Sequence, residues 1–112
     1  MKEFIAFLDS RIEEGRAEIA ALSAESRRDE ADFAKVRTNI YEVCRTVSLA
    51  LIDRPGAGTK AIGAQFDRFR TAWGSALEKA KQHGNAQAVV VEETKLAALA
   101  DVAARFEEVT KA

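Results

Sequence analysis

Cysteine, proline, histidine, tryptophan and tyrosine each occur once in this 112-residue chain, and each scarcity excludes a kind of protein. A lone Cys44 leaves no internal disulfide, so the fold has to rest on apolar packing. A lone His83 leaves no second imidazole for a metal cage or a base-and-orienter arrangement. The inward Glu-x-x-His pairs by which helical bundles hold two metals are absent as well. The acidic pairs Glu13-Glu14, Glu92-Glu93 and Glu107-Glu108 fall mostly on outward positions. Glu92 is the exception: it shares a row with Val89 and Leu96, where it reads as a polar residue tolerated near a helix end. Cys44 reads as a small packing residue, because the adjacent Arg45 diverges from it on a helix. His83 reads as a cation complementing a helix C-terminus. No metal, cofactor or catalytic group is expected.

Long apolar runs are missing too. Phe4-Ile5-Ala6-Phe7-Leu8 is broken by Asp9 and Arg11, and no stretch approaches the roughly 18 uncharged residues of a membrane span. A soluble, cytoplasmic protein is expected. Nor is charge of one sign in excess: 17 basic and 18 acidic residues leave a net charge of −1, which argues against nucleic acid or a membrane surface as partner. Phe66-Asp67-Arg68-Phe69-Arg70 interleaves aromatic and basic residues, but the two Phe share one helix face and no basic stripe extends the patch. Gly56-Ala57-Gly58-Thr59-Lys60 has the Thr before the Lys and no preceding strand, so it reads as a linker rather than a phosphate loop.

What is present is alanine, 22 residues of it, and a stripe of apolar side chains stepping by three and four. Ile5, Leu8, Ile12, Gly15, Ile19 and Leu22 begin it; Phe33, Val36, Ile40, Val43, Val47 and Ala50 continue it in phase. This spacing lays one face of a helix against other helices. Asp53-Arg54-Pro55-Gly56-Ala57-Gly58 is the one concentrated breaker. After it, Thr59 is positioned to cap a third helix carrying Ile62, Phe66, Phe69, Trp73, Ala76, Leu77 and Ala80 inward. Gly84 suits a left-handed cap, and Asn85 the start of a fourth helix to about Val109, with Val89, Leu96, Leu99, Ala103 and Phe106 inward. Glu92–Lys95, Asp101–Arg105 and Glu107–Lys111 are spaced as surface ion pairs.

Residues 23–30 admit two readings. The unbroken phase favours one continuous helix over residues 2–51, which would span about 75 Å and need a dimeric helical assembly to cover it. A compact domain has a diameter nearer about 26 Å, which favours a turn with Ser26 capping a second helix. The expected fold is therefore all-α: a single domain over residues 1–112, an antiparallel up-down-up-down four-helix bundle. In that arrangement Gly15 and Trp73 sit at similar heights, and the missing side chain of Gly15 makes room for the indole.

Two functions fit such a chain. One is a helical interaction module, a homodimer or a partner of another helical protein, with Phe4, Phe7 and Tyr41 exposed at the contact. The other is a bundle holding a small apolar molecule or lipid, lined by Gly15, Gly63, Phe66, Phe69, Trp73 and Phe106.

Overall fold

A computed structural model describes residues 1–111 and places nearly all of them in four helices: α1 (Lys2–Ala24), α2 (Arg28–Ile52), α3 (Gly58–Gln82) and α4 (Ala86–Thr110). Short connections join them into an up-down-up-down four-helix bundle, with the chain turning at residues 25–27.

That first turn contains neither glycine nor proline. Ser26 takes φ 60°, and the Ser26 and Arg27 amides donate back to the carbonyls of Ser23 (3.1 Å) and Leu22 (2.9 Å). These two bonds are the Schellman closure of a helix C-terminus. Ser26 therefore ends α1 rather than capping α2, whose first residue is Arg28, preceded by Arg27 with no side-chain cap. The α3–α4 turn repeats the geometry with Gly84 at φ 63°. There Asn85 does cap the following helix, its Oδ1 accepting from the Ala88 amide at 3.1 Å. Thr59 is not a cap: α3 already begins at Gly58.

The bundle is flattened, with extents of 44 × 35 × 20 Å. The diagonal pair α2 and α4 pack together, whereas no Cα of α1 comes within 8 Å of one in α3. The main core gathers Phe4, Leu8 and Ile12 of α1, Ile40, Tyr41 and Cys44 of α2, Ile62 and Phe66 of α3, and Ala98, Leu99, Val102 and Phe106 of α4. Phe4 meets Phe106 edge-on at 5.2 Å, and Phe106 meets Phe66 at 5.3 Å. Leu22, Ala31 and Ala34 form a second, small cluster at the α1–α2 tip.

The inward row of α2 differs from the apolar stripe. Ala31, Ala34, Thr38, Tyr41, Cys44 and Ser48 are buried together with Ile40, while Phe33, Val36, Val43 and Val47 are only partly covered and Ala50 is exposed. At the α1 seam the small side chain of Thr38 lets the two helix axes approach closely. Gly15 of α1 completes that approach, facing Thr38 of α2 and not Trp73. Ion pairs along the same groove, Asp9–Arg45, Arg16–Glu42 and Glu18–Arg37, run in antiparallel order. Exposed pairs of this kind add little stability, but the order fits a single register.

Candidate functional site

Three surface features remain once the core is assigned. The first is the outer row of α2: Phe33, Val36, Val43 and Val47, spaced by the heptad rule about the buried Ile40 and partly open to solvent. At its upper end lies a groove of about 380 Å³ between the first turns of α2 and α4. Phe33 forms part of one wall and Val90, 40% exposed, part of the other. Asp29, Asp32 and Gln87 supply the polar rim.

The second lies between α3 and the start of α4. Phe69 and Trp73, one turn apart on α3, stack nearly parallel with centroids 4.9 Å apart. The Lys95 ammonium sits 5.8 Å from the Trp73 ring centre and 3.1 Å from the Glu92 carboxylate. Glu92 is buried, 7% exposed, among the inward residues of α4. An adjoining groove of about 490 Å³ is lined by Ala76, Asn85, Gln87, Ala88, Val91 and Glu92. The expected surface pair Glu92–Lys95 is thus formed, but inward of the surface.

The third is a polar cluster joining α1, α2 and α4. Tyr41 Oη donates to Asp101 Oδ2 at 2.6 Å, and Arg11 Nε donates to the same oxygen at 3.0 Å. The Arg11 guanidinium also lies 4.8 Å from the Phe7 ring centre. Burial and the adjacent Asp101 carboxylate push the Tyr41 phenol well above its ordinary range. The hydrogen bond to Asp101 raises the Arg11 guanidinium further. Asp101 therefore does not pair with Arg105, which turns to Glu108 at 2.9 Å. Sequence spacing could not reveal the Arg11–Asp101–Tyr41 cluster, since its members are 60 and 90 positions apart.

The interface candidates are redistributed by packing. Phe4 is fully buried and Tyr41 is 6% exposed, so neither is the exposed contact residue that was expected; Phe7 alone stays partly open. Phe4 is drawn inward because it, and not Ile5, completes the aromatic cluster with Phe66 and Phe106. The pocket candidates do not surround a space. Phe66 and Phe106 fill the main core, Gly63 lies within ordinary contact distance of Phe106, and Gly15 faces Thr38 on the far side of the bundle. Phe69 and Trp73 stack on each other, and Trp73 approaches the groove only through Lys95, the partner of Glu92.

Cys44 is fully buried, and desolvation pushes its thiol up to about 12. His83 is exposed at the α3 C-terminus, its Nδ1 2.8 Å from the Lys79 carbonyl oxygen. Among the described residues no group of three or more His, Cys, Asp or Glu side chains is arranged to hold a metal ion. No helix among them is long and apolar enough to cross a membrane. Comparisons with family models, with curated proteins and with solved structures find no match for this chain.

Proposed function

We propose that this protein is a non-enzymatic helical interaction module that pairs with a second copy of itself through the outer row of α2. The observation that carries this reading is the division of labour on that helix. Ala31, Ala34, Thr38, Tyr41, Cys44 and Ser48 are buried together with Ile40, while Phe33, Val36, Val43 and Val47, at heptad spacing on either side of Ile40, are left partly open. A row of this period suits a second helix running alongside. Two-fold pairing presents the same patch from both copies, so one row suffices for both sides. The groove between Phe33 and Val90 extends the apolar surface toward α4.

Light scattering coupled to size-exclusion chromatography tests this reading. The wild-type chain at tens of micromolar is expected to run as a dimer. Val43→Glu is expected to run as a monomer with unchanged helical circular dichroism, because a charge in the row opposes desolvation of the interface. A monomeric wild type at that concentration defeats the proposal.

A further inference from the structure

Glu92 occupies a position that the rest of α4 fills with apolar side chains. It is buried alongside Ala98, Leu99, Val102 and Phe106, and a desolvated carboxylate requires a cationic or hydrogen-bonding partner. The cation it has is Lys95, one turn along the same helix, 3.1 and 3.2 Å from the two carboxylate oxygens. A carboxylate has about four acceptor sites, so one ammonium leaves acceptor capacity unused. The Lys95 stem is itself partly exposed, with 30% of the side chain accessible, so its ammonium is a displaceable partner. The groove beside Glu92 is walled by Ala76, Ala88 and Val91 on its apolar side and by Asn85 and Gln87 on its polar side. The groove, about 490 Å³ in volume, is shallow and open to solvent.

We propose that this groove binds a small organic cation, an alkylammonium whose head pairs with Glu92 and whose chain lies along Ala76, Ala88 and Val91. Among the described residues Glu92 is the one titratable side chain of the lining, and the ligand's head takes the place of the Lys95 ammonium on its carboxylate. Ala76, Ala88 and Val91 offer a short alkyl tail an apolar contact that a bare inorganic cation does not make. Lys95 holds the same carboxylate without the ligand, and its ammonium near Trp73 moves away when the ligand enters. This inference does not depend on the pairing proposed for α2, which uses a different face.

The experiment is a titration of the intact protein with n-butylammonium chloride at fixed ionic strength, with 1-butanol as the uncharged control. It is read by the fluorescence of Trp73, the single tryptophan, and by amide chemical shifts. Millimolar butylammonium is expected to give a saturable change in Trp73 emission and shifts at Ala88, Val91 and Glu92, with no saturable change from butanol. Glu92→Gln, nearly isosteric, is expected to weaken binding about tenfold or more by removing a charge-assisted hydrogen bond. Lys95→Met is expected to tighten it by removing the competing ammonium, whereas a merely structural Glu92–Lys95 pair gives no such gain. No saturable response, an equal response to butanol, unchanged affinity in Glu92→Gln, or no tightening in Lys95→Met would each overturn the proposal. The Lys95→Met arm stands even where Glu92→Gln perturbs folding.

Discussion

Gly15 of α1 and Thr38 of α2 share one space. A Cβ built on Gly15 would overlap Thr38 Oγ1 and come within 3.0 Å of both Thr38 Cβ and Cγ2. Thr38 is 3% exposed, and its hydroxyl donates to the Ala34 carbonyl at 2.8 Å, so its rotamer is held in place. Glycine in mid-helix costs about 1 kcal/mol relative to alanine. Here that cost is offset by the close approach of two helices.

Gly15→Ala is accordingly expected to destabilise the protein, against its gain in helix propensity. Overpacking a tight seam costs about 1–3 kcal/mol. In a Thr38→Ala background the same change loses most of that cost, because Oγ1 and Cγ2 are gone. Urea denaturation of the two single variants and the double variant measures the coupling. Additive effects would show that the seam relaxes at no expense.

Ser26→Gly is expected to stabilise. The left-handed region costs an L-residue about 1–2 kcal/mol, and Ser26 occupies it at φ 60°. Gly84 plays the same part in the α3–α4 turn at φ 63°. Glycine gives back part of the gain through its greater freedom in the unfolded chain, leaving about 0.5–1 kcal/mol. A rise of a few degrees in Tm by calorimetry is the expected reading; a fall would mean that the serine hydroxyl contributes more than the backbone strain removes.

Asp101 accepts from both Tyr41 and Arg11, so Asp101→Ala deprives a largely buried phenol of its acceptor. The expected loss is about 1–2 kcal/mol. Most of it belongs to Tyr41, because the Arg11–Asp101 pair is 38% exposed on each side and solvent screens it. Asp101→Asn, which keeps an acceptor oxygen, is expected to lose less. Chemical denaturation of both variants separates the hydrogen bond from the charge.

Alkali is expected to unfold the protein through Cys44 and Tyr41. Burial raises the thiol from its usual 9.0 to about 12 and raises the phenol from 10.0 as well. Folding therefore favours the protonated forms. That stability is fully present below pH 9, where both groups stay protonated in the unfolded chain too. It declines as pH climbs toward about 12 and is lost once the folded-state values are passed. Tm measured between pH 8 and 12 should fall, and the fall should be shallower in Cys44→Ala, whatever that variant loses at neutral pH. At pH 8 iodoacetamide should label Cys44 slowly in the native protein and readily in urea. Rapid native labelling would contradict the burial described above.

The four helices, the linker at residues 53–57 and the caps at Gly84 and Asn85 were legible in the sequence, because apolar periodicity and turn chemistry are local properties. The turn at Ser26 was only half legible: the polar stretch marked it, but a serine standing in a glycine's place gave no breaker signal. The candidate site was largely illegible. Heptad spacing singled out Phe33, Val36, Ile40, Val43 and Val47 as core, and only Ile40 is fully buried while the others stay half-buried; Phe4 and Tyr41 were read as surface, and they became core.

The chain by itself determined that amphipathic helices of matched length would pack, since a period near 3.6 states which side chains share a face. Which of two adjacent apolar faces on α2 turned inward was decided by tertiary structure alone. That choice depended on how closely α1 could approach, and hence on Gly15 meeting Thr38 across the seam. The same holds for Glu92. Its position in a helical row was written in the sequence, but its burial beside Lys95 and Trp73 required α3 to lie where it does.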